Sequence, residues 1–164
     1  MKKLIALVGA LAIVSCFNSC KKEKGETTTT DDASLFAETQ AGGFTFYQSG
    51  AELNGVSPSP HGLFKLRFNA IAQAALGSDG ELAGGNTFPT GSLIVKELRN
   101  GGNTTLYVVM KKDPGNVNAA NGWLWAEYNV DGTSAYSLSN KGSGCTGCHG
   151  GSPNRDYTQT FDLH

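Results

Sequence analysis

The chain has 164 residues, a formal net charge of -1, 39% hydrophobic and only 16% charged residues, and 22 glycines. That suffices for one domain of ordinary size, and it is too apolar for a disordered tail and too rich in glycine for a helical bundle. With no long basic stretch in the C-terminal part, it carries no electrostatic footprint for nucleic acid.

Residues 1–19 have the form of an export signal: Lys2 and Lys3 precede an apolar run from Leu4 to Val14, then small residues and cysteines. The run is shorter than the roughly 20 apolar residues a bilayer span requires, and a cleaved leader explains it better than a buried core helix. Either following cysteine can be the lipidated first residue of a bacterial lipoprotein. Ile13-Val14-Ser15-Cys16 is nearer the usual lipobox, whereas Cys20 opens onto the polar Lys21-Lys22-Glu23-Lys24. Cleavage before Cys20 leaves no odd thiol if Cys145 and Cys148 are consumed together, so Cys20 is preferred and Cys16 is the alternative. Plain secretion, or a Cys16–Cys20 disulfide in an uncleaved leader, are the other options. The expected location is a membrane-anchored lipoprotein facing the periplasm or the cell surface. Residues 20–34, built of Lys, Glu, Gly, Thr and Asp, read as a flexible tether, and residues 35–164 as the domain.

Within the domain, Phe44 to Tyr47 is a short β-prone stretch. His61 to Asn69 alternates, with Phe64, Leu66 and Phe68 on one face and Lys65, Arg67 and Asn69 on the other, which predicts a half-buried strand. Asn69 can cap a helix over Ala70 to Leu76 that Gly77 would end. Three more strands are predicted at Ser92–Leu98, Thr105–Lys111 and Gly122–Val130, separated by Asn100-Gly101-Gly102-Asn103 and by a loop around Pro114. Short connections between consecutive strands favour an antiparallel sheet, so the predicted fold is mainly β (α+β) with a short helix and a glycine-rich C-terminal segment from Lys141 to Gly151.

That segment holds Cys145-Thr-Gly-Cys148-His149. In Cys-x-x-Cys-His, two thiols are spaced to form thioethers with the two vinyl groups of one haem c, and the adjoining imidazole ligates its iron. Gly144, Gly147 and Gly150 would let the backbone pass close to the macrocycle. The alternatives are weaker in chemistry. Zinc wants four ligands, and only His61 and His164 are left to add to the motif. A thioredoxin-like pair wants a βαβ setting, and a disulfide leaves His149 without a reason. For a sixth ligand only Met110 remains outside the leader, and its strand face, shared with Leu106 and Val108, assigns it to the core. An open iron position follows.

These residues together resemble the cytochrome P460 family, which includes the cytochromes c′-beta. The similarity runs from about Pro60 to Phe161. It comprises Pro60-His61-Gly62 before the strand ending at Asn69, then Phe88-Pro89-Thr90-Gly91-Ser92-Leu93-Ile94-Val95-Lys96-Glu97, Asn121-Gly122-Trp123, the haem motif and Asp156-Tyr157. The resemblance implies an antiparallel β fold, often dimeric, with a five-coordinate haem and a vacant distal face. In the enzymes of the family a lysine, here matching Lys96, is cross-linked to the porphyrin and hydroxylamine is oxidised. In the c′-beta branch the cross-link is absent and small gases such as nitric oxide bind.

Lys96 draws interest on its own, because it shares a strand face with Ile94 and Leu98. Burial would free its neutral amine as a nucleophile, whereas an ordinary lysine would lay its stem on apolar surface and reach water. Glu127, on the face of Trp123 and Trp125, is the candidate distal carboxylate for taking up protons, with an exposed edge glutamate as the alternative. His61 falls in the segment matching the family's distal wall. Phe64 or Phe68 would instead crowd the iron and favour diatomic ligands. The expected function is a mono-haem oxidoreductase acting on hydroxylamine or a similar small nitrogen compound and passing electrons to an external acceptor. A non-enzymatic gas binder and an electron-transfer cytochrome are the alternatives.

Overall fold

The computed structural model describes residues 30–162 apart from 58; the leader, Cys16, Cys20 and His164 lie outside the described residues. In chain order the elements are α1 (Asp32–Gln40), β1 (Thr45–Phe46), β2 (Leu53–Asn54), β3 (Leu63–Phe68), α2 (Ala70–Gln73), β4 (Leu93–Asn100), β5 (Asn103–Lys112), β6 (Trp123–Asn129), β7 (Ser134–Tyr136) and α3 (Thr146–His149). The strands form one antiparallel sheet in the order β1-β3-β4-β5-β6-β7, with β2 also paired to β3. The mainly antiparallel β architecture predicted from alternation is thus the one observed.

Local chemistry sets the turns. Gly101 and Gly102, at φ 57° and 81°, give the β4–β5 hairpin the two left-handed residues that a tight two-residue connection demands. Asn69 caps α2 as expected: its Oδ1 accepts from the Ala72 N–H at 2.9 Å and from the Leu93 N–H at 3.0 Å, which also pins the start of β4. α2 is shorter than the predicted helix, with looser turns carrying the chain to Leu76.

Two expectations need correction. The polar stretch assigned to the tether is helical from Asp32, because Asp31 and Ser34 form a reciprocal capping box at 2.7 and 2.9 Å. Asp32 is moreover engaged by the fold: its carboxylate accepts from the Tyr128 hydroxyl at 3.0 Å, the Ser137 hydroxyl at 2.5 Å and the Leu138 N–H at 3.1 Å. Likewise, the polar face of β3 is solvated only in part. Arg67 is buried there, paired with Glu97 at 2.7 Å and lying 4.3 Å from the Phe44 ring centroid.

The sheet therefore buries both faces. On one, Leu35 of α1 packs with Val95, Val109, Leu124, Ala126 and Tyr128. On the other, Phe64, Leu66, Phe68, Ile94, Met110, Trp123 and Trp125 pack beneath Leu82, Phe88 and Phe161. Phe64 and Phe68 are fully buried in this second layer, as the period of two predicts.

Candidate functional site

Antiparallel register places Leu66, Lys96, Val108, Glu127 and Tyr136 in one row across the second face of the sheet. Beside that row lies a cavity of about 800 Å³, counting the space at its open mouth. Lys96, Val108, Met110, Trp125 and Glu127 contribute to its sheet side, His61 enters from the turn before β3, and Cys145, Cys148 and His149 come from the C-terminal segment. Lys96, Glu127, His61 and the two cysteines and histidine of the C-terminal motif are therefore brought to one place.

The electrostatics follow from burial. Lys96 is 9% exposed, with Nζ 4.3 Å from the Phe64 ring centroid, and desolvation lowers its pKa to about 8. Burial, then the neighbouring Lys96 and His149, hold His61 neutral with a pKa of about 4. Burial raises Glu127 from the ordinary carboxylate value. Burial first, then the Glu127 and Cys148 charges, push the Cys145 thiol up to about 11. The cavity thus holds an amine, an imidazole and a carboxyl group, each displaced toward its neutral form.

His61 was expected on the polar face of a strand. It stands instead before the strand begins, next to Gly62 at φ 54°, and that break in the alternation frees the ring to line the cavity. Phe64 and Phe68 do not crowd the cavity: they are core residues, and Phe64 backs Lys96. Met110 packs in the core cluster while its side also lines the cavity.

α3 carries the haem motif. Cys145 and Cys148 are unpaired thiols on successive turns of backbone, and the Cys145 carbonyl accepts from the His149 N–H at 3.1 Å. The His149 ring packs edge-on to Trp125, centroids 4.8 Å apart, and its Nδ1 lies 2.7 Å from the Tyr157 carbonyl oxygen. A carbonyl only accepts, so Nδ1 carries the proton and Nε2 keeps its lone pair. Gln159 donates through Nε2 to the Cys148 carbonyl and ties the same turn from the other side. Of the three glycines expected to admit close passage, Gly150 is required by the turn itself, since a Cβ there would sit 2.8 Å from the Thr146 carbonyl oxygen.

Gly142 was not singled out in the sequence and is the tighter constraint. It has φ 65°, and a Cβ would fall 2.5 Å from Trp125 Cδ1. Gly142→Ala should therefore cost about 2–4 kcal/mol, combining a left-handed alanine with overpacking, and should tilt Trp125 away from His149. Urea unfolding together with Trp fluorescence checks both effects.

A second group of residues also escaped sequence reasoning as a unit. Asp156, 3% exposed, accepts at Oδ1 from Lys112 Nζ at 2.6 Å and at Oδ2 from the Phe88 N–H at 2.8 Å, while its main-chain carbonyl accepts from Trp123 Nε1 at 3.0 Å. Phe88, Trp123 and Asp156 lie far apart in the chain but meet at this point, directly before the Tyr157 carbonyl that holds His149.

The family model for cytochrome P460 matches residues 67–160, more than half of the chain. The chain belongs to the cytochrome P460 family. No curated protein matches it. Membership of the cytochrome P460 family implies haem binding, and the donor set fits that group. Two thiols and an imidazole with a free Nε2 sit on one helical turn at the wall of a cavity whose floor is Val108, Met110 and Trp125. Among the described residues no three His, Cys, Asp or Glu side chains converge to hold a bare metal ion. A macrocycle that brings its own four nitrogen ligands asks for one imidazole beside its attachment thiols, and His149 of this P460 domain stands there.

Proposed function

We propose that this P460 domain is an exported, lipid-anchored c-type cytochrome that oxidises hydroxylamine or a similar small nitrogen compound. It would carry one haem c per chain, attached at Cys145 and Cys148 with His149 as iron ligand, and be anchored through Cys20, or alternatively Cys16. The observation that carries the reading is that Lys96, Glu127 and His61 line the same cavity as the three attachment residues. When bound, the haem supplies an iron that takes a nitrogen ligand and accepts its electrons.

The chain's own residues supply the rest. His149 presents Nε2, with the ring held by the Tyr157 carbonyl and by Trp125. Lys96 has its amine within reach of neutrality near pH 8, so Nζ can act as a nucleophile toward the haem edge. That attachment exchanges one N–H and one C–H for a C–N bond and passes two protons and two electrons to an external oxidant. Oxidising a nitrogen substrate releases protons as well as electrons. Glu127, whose pKa burial raises, and His61, which burial holds neutral, are the groups positioned to exchange those protons. Phe64 and Phe68, the aromatics that would crowd the iron and favour a purely diatomic ligand, lie in the core and do not line the cavity.

The test is production of the full chain with haem c maturation machinery. The wild type should keep its haem through acid-acetone extraction and should reduce an artificial acceptor when hydroxylamine is added. Cys145→Ser combined with Cys148→Ser should release all of its haem into the solvent. A wild-type chain that yields no covalent haem, or a holoprotein that ignores hydroxylamine, would overturn the proposal.

A further inference from the structure

We infer that Asp156 is a positioning residue that sets the proximal hydrogen bond, and through it the electronic character of the iron ligand. This rests on His149 serving as that ligand. Asp156 and Tyr157 are consecutive non-glycine residues in the left-handed region, at φ 50° and 65°. Such a pair is sterically unfavourable and persists only where surroundings over-determine it. Here they do. The Asp156 carboxylate is held by Lys112 from the end of β5 and by the Phe88 main chain, and the Asp156 carbonyl is held by the Trp123 indole from the start of β6. The Tyr157 N–H donates to the Ser152 carbonyl at 3.0 Å, which fixes the other side of the same backbone.

The residue so immobilised is followed directly by the carbonyl that accepts from His149 Nδ1 at 2.7 Å. The Tyr157 side chain plays no part in this bond; only the direction of its carbonyl matters, and that direction is set by the backbone angles Asp156 imposes. A short hydrogen bond at Nδ1 fixes the tautomer, orients the ring and makes Nε2 a stronger donor to a metal. A stronger donor stabilises the oxidised over the reduced iron, so Asp156 would act on the potential although it does not line the cavity.

The prediction separates geometry from charge. In the holoprotein, Asp156→Ala should lower the iron–histidine stretching frequency seen by resonance Raman and raise the reduction potential, with covalent haem content unchanged. Asp156→Asn should retain both wild-type signatures, because asparagine tolerates the left-handed region and can still accept from the Phe88 N–H. Wild-type signatures in Asp156→Ala would overturn the inference. So would an equal shift in Asp156→Asn, which would assign the effect to the lost charge. If the alanine variant does not accumulate, Asp156→Gly, free to adopt φ 50°, takes its place with the same expected shifts. If neither folds, the wild type decides: the Nδ1 proton should resist exchange with deuterium oxide, and an iron–histidine frequency equal to that of an unassisted imidazole overturns the inference. A chain that takes up no haem fails the functional proposal and this inference together; a loaded chain with unmoved signatures fails this inference alone.

Discussion

Lys96→Met should make the haem-free protein more stable at neutral pH, by about 2 kcal/mol, while removing the amine on which the proposed chemistry depends. The pKa of Lys96 falls from 10.5 to about 8 because burial penalises the ammonium, and at about 1.4 kcal/mol per unit the folded state bears a penalty of about 3 kcal/mol. Losing the contact with the Phe64 ring offsets about 1 kcal/mol of the gain. The sign with pH follows directly. The folded pKa lies below the unfolded one, so the penalty is complete below pH 8 and fades as the pH rises towards 10.5. Wild-type stability should climb over that interval relative to the methionine variant, and the two unfolding curves should converge. Urea unfolding at pH 7 and pH 10 tests this, and a methionine variant less stable than wild type at pH 7 would sink the argument. In the holoprotein the same substitution should leave the thioether-bound haem in place and abolish any additional mass linking residue 96 to it.

The second large effect is expected at Trp123. Its side chain is fully buried, 5.6 Å from Phe88 and 4.9 Å from Lys112 Nζ by centroid, and its Nε1 is a donor to the Asp156 carbonyl. Trp123→Ala should cost about 4–5 kcal/mol from the cavity alone, with a further loss of about 1 kcal/mol or more because a buried carbonyl is left without its donor. For a domain of this size that is a large share of a total of about 5–15 kcal/mol. Trp123→Phe keeps most of the packing and should cost about 1–2 kcal/mol. A midpoint shift of equal size in the two variants would show that the indole N–H, not the volume, dominates.

Much of this was legible in the sequence because the sheet obeys a period of two. The alternation of Phe64, Leu66 and Phe68 names one core face, and the same parity puts Lys96 with Ile94 and Glu127 with Trp125 on the cavity side. The haem motif is local and needs no tertiary information. What stayed hidden depends on partners remote in the chain. α1 looks like a polar tether until the Tyr128, Ser137 and Leu138 donors that engage Asp32 are known. β2 and β7 are too short to show alternation. Arg67 reads as solvated until Phe44 and Glu97 cover it. Asp156 has no periodicity at all, and its role appears only when Phe88, Lys112 and Trp123 converge on it.

The row from Leu66 to Tyr136 has a further meaning. Lys96 and Glu127, an amine and a carboxyl group, share a face, yet the strand carrying Val108 lies between them. Two interstrand steps make a ruler of about 10 Å, a span no side-chain choice at position 108 can shorten because the backbone sets it. Groups that could pair across a single step are kept apart, with the apolar Val108 between them. An antiparallel sheet thereby does what a flexible loop cannot: it holds the Lys96 amine and the Glu127 carboxyl group at a fixed separation before anything arrives between them.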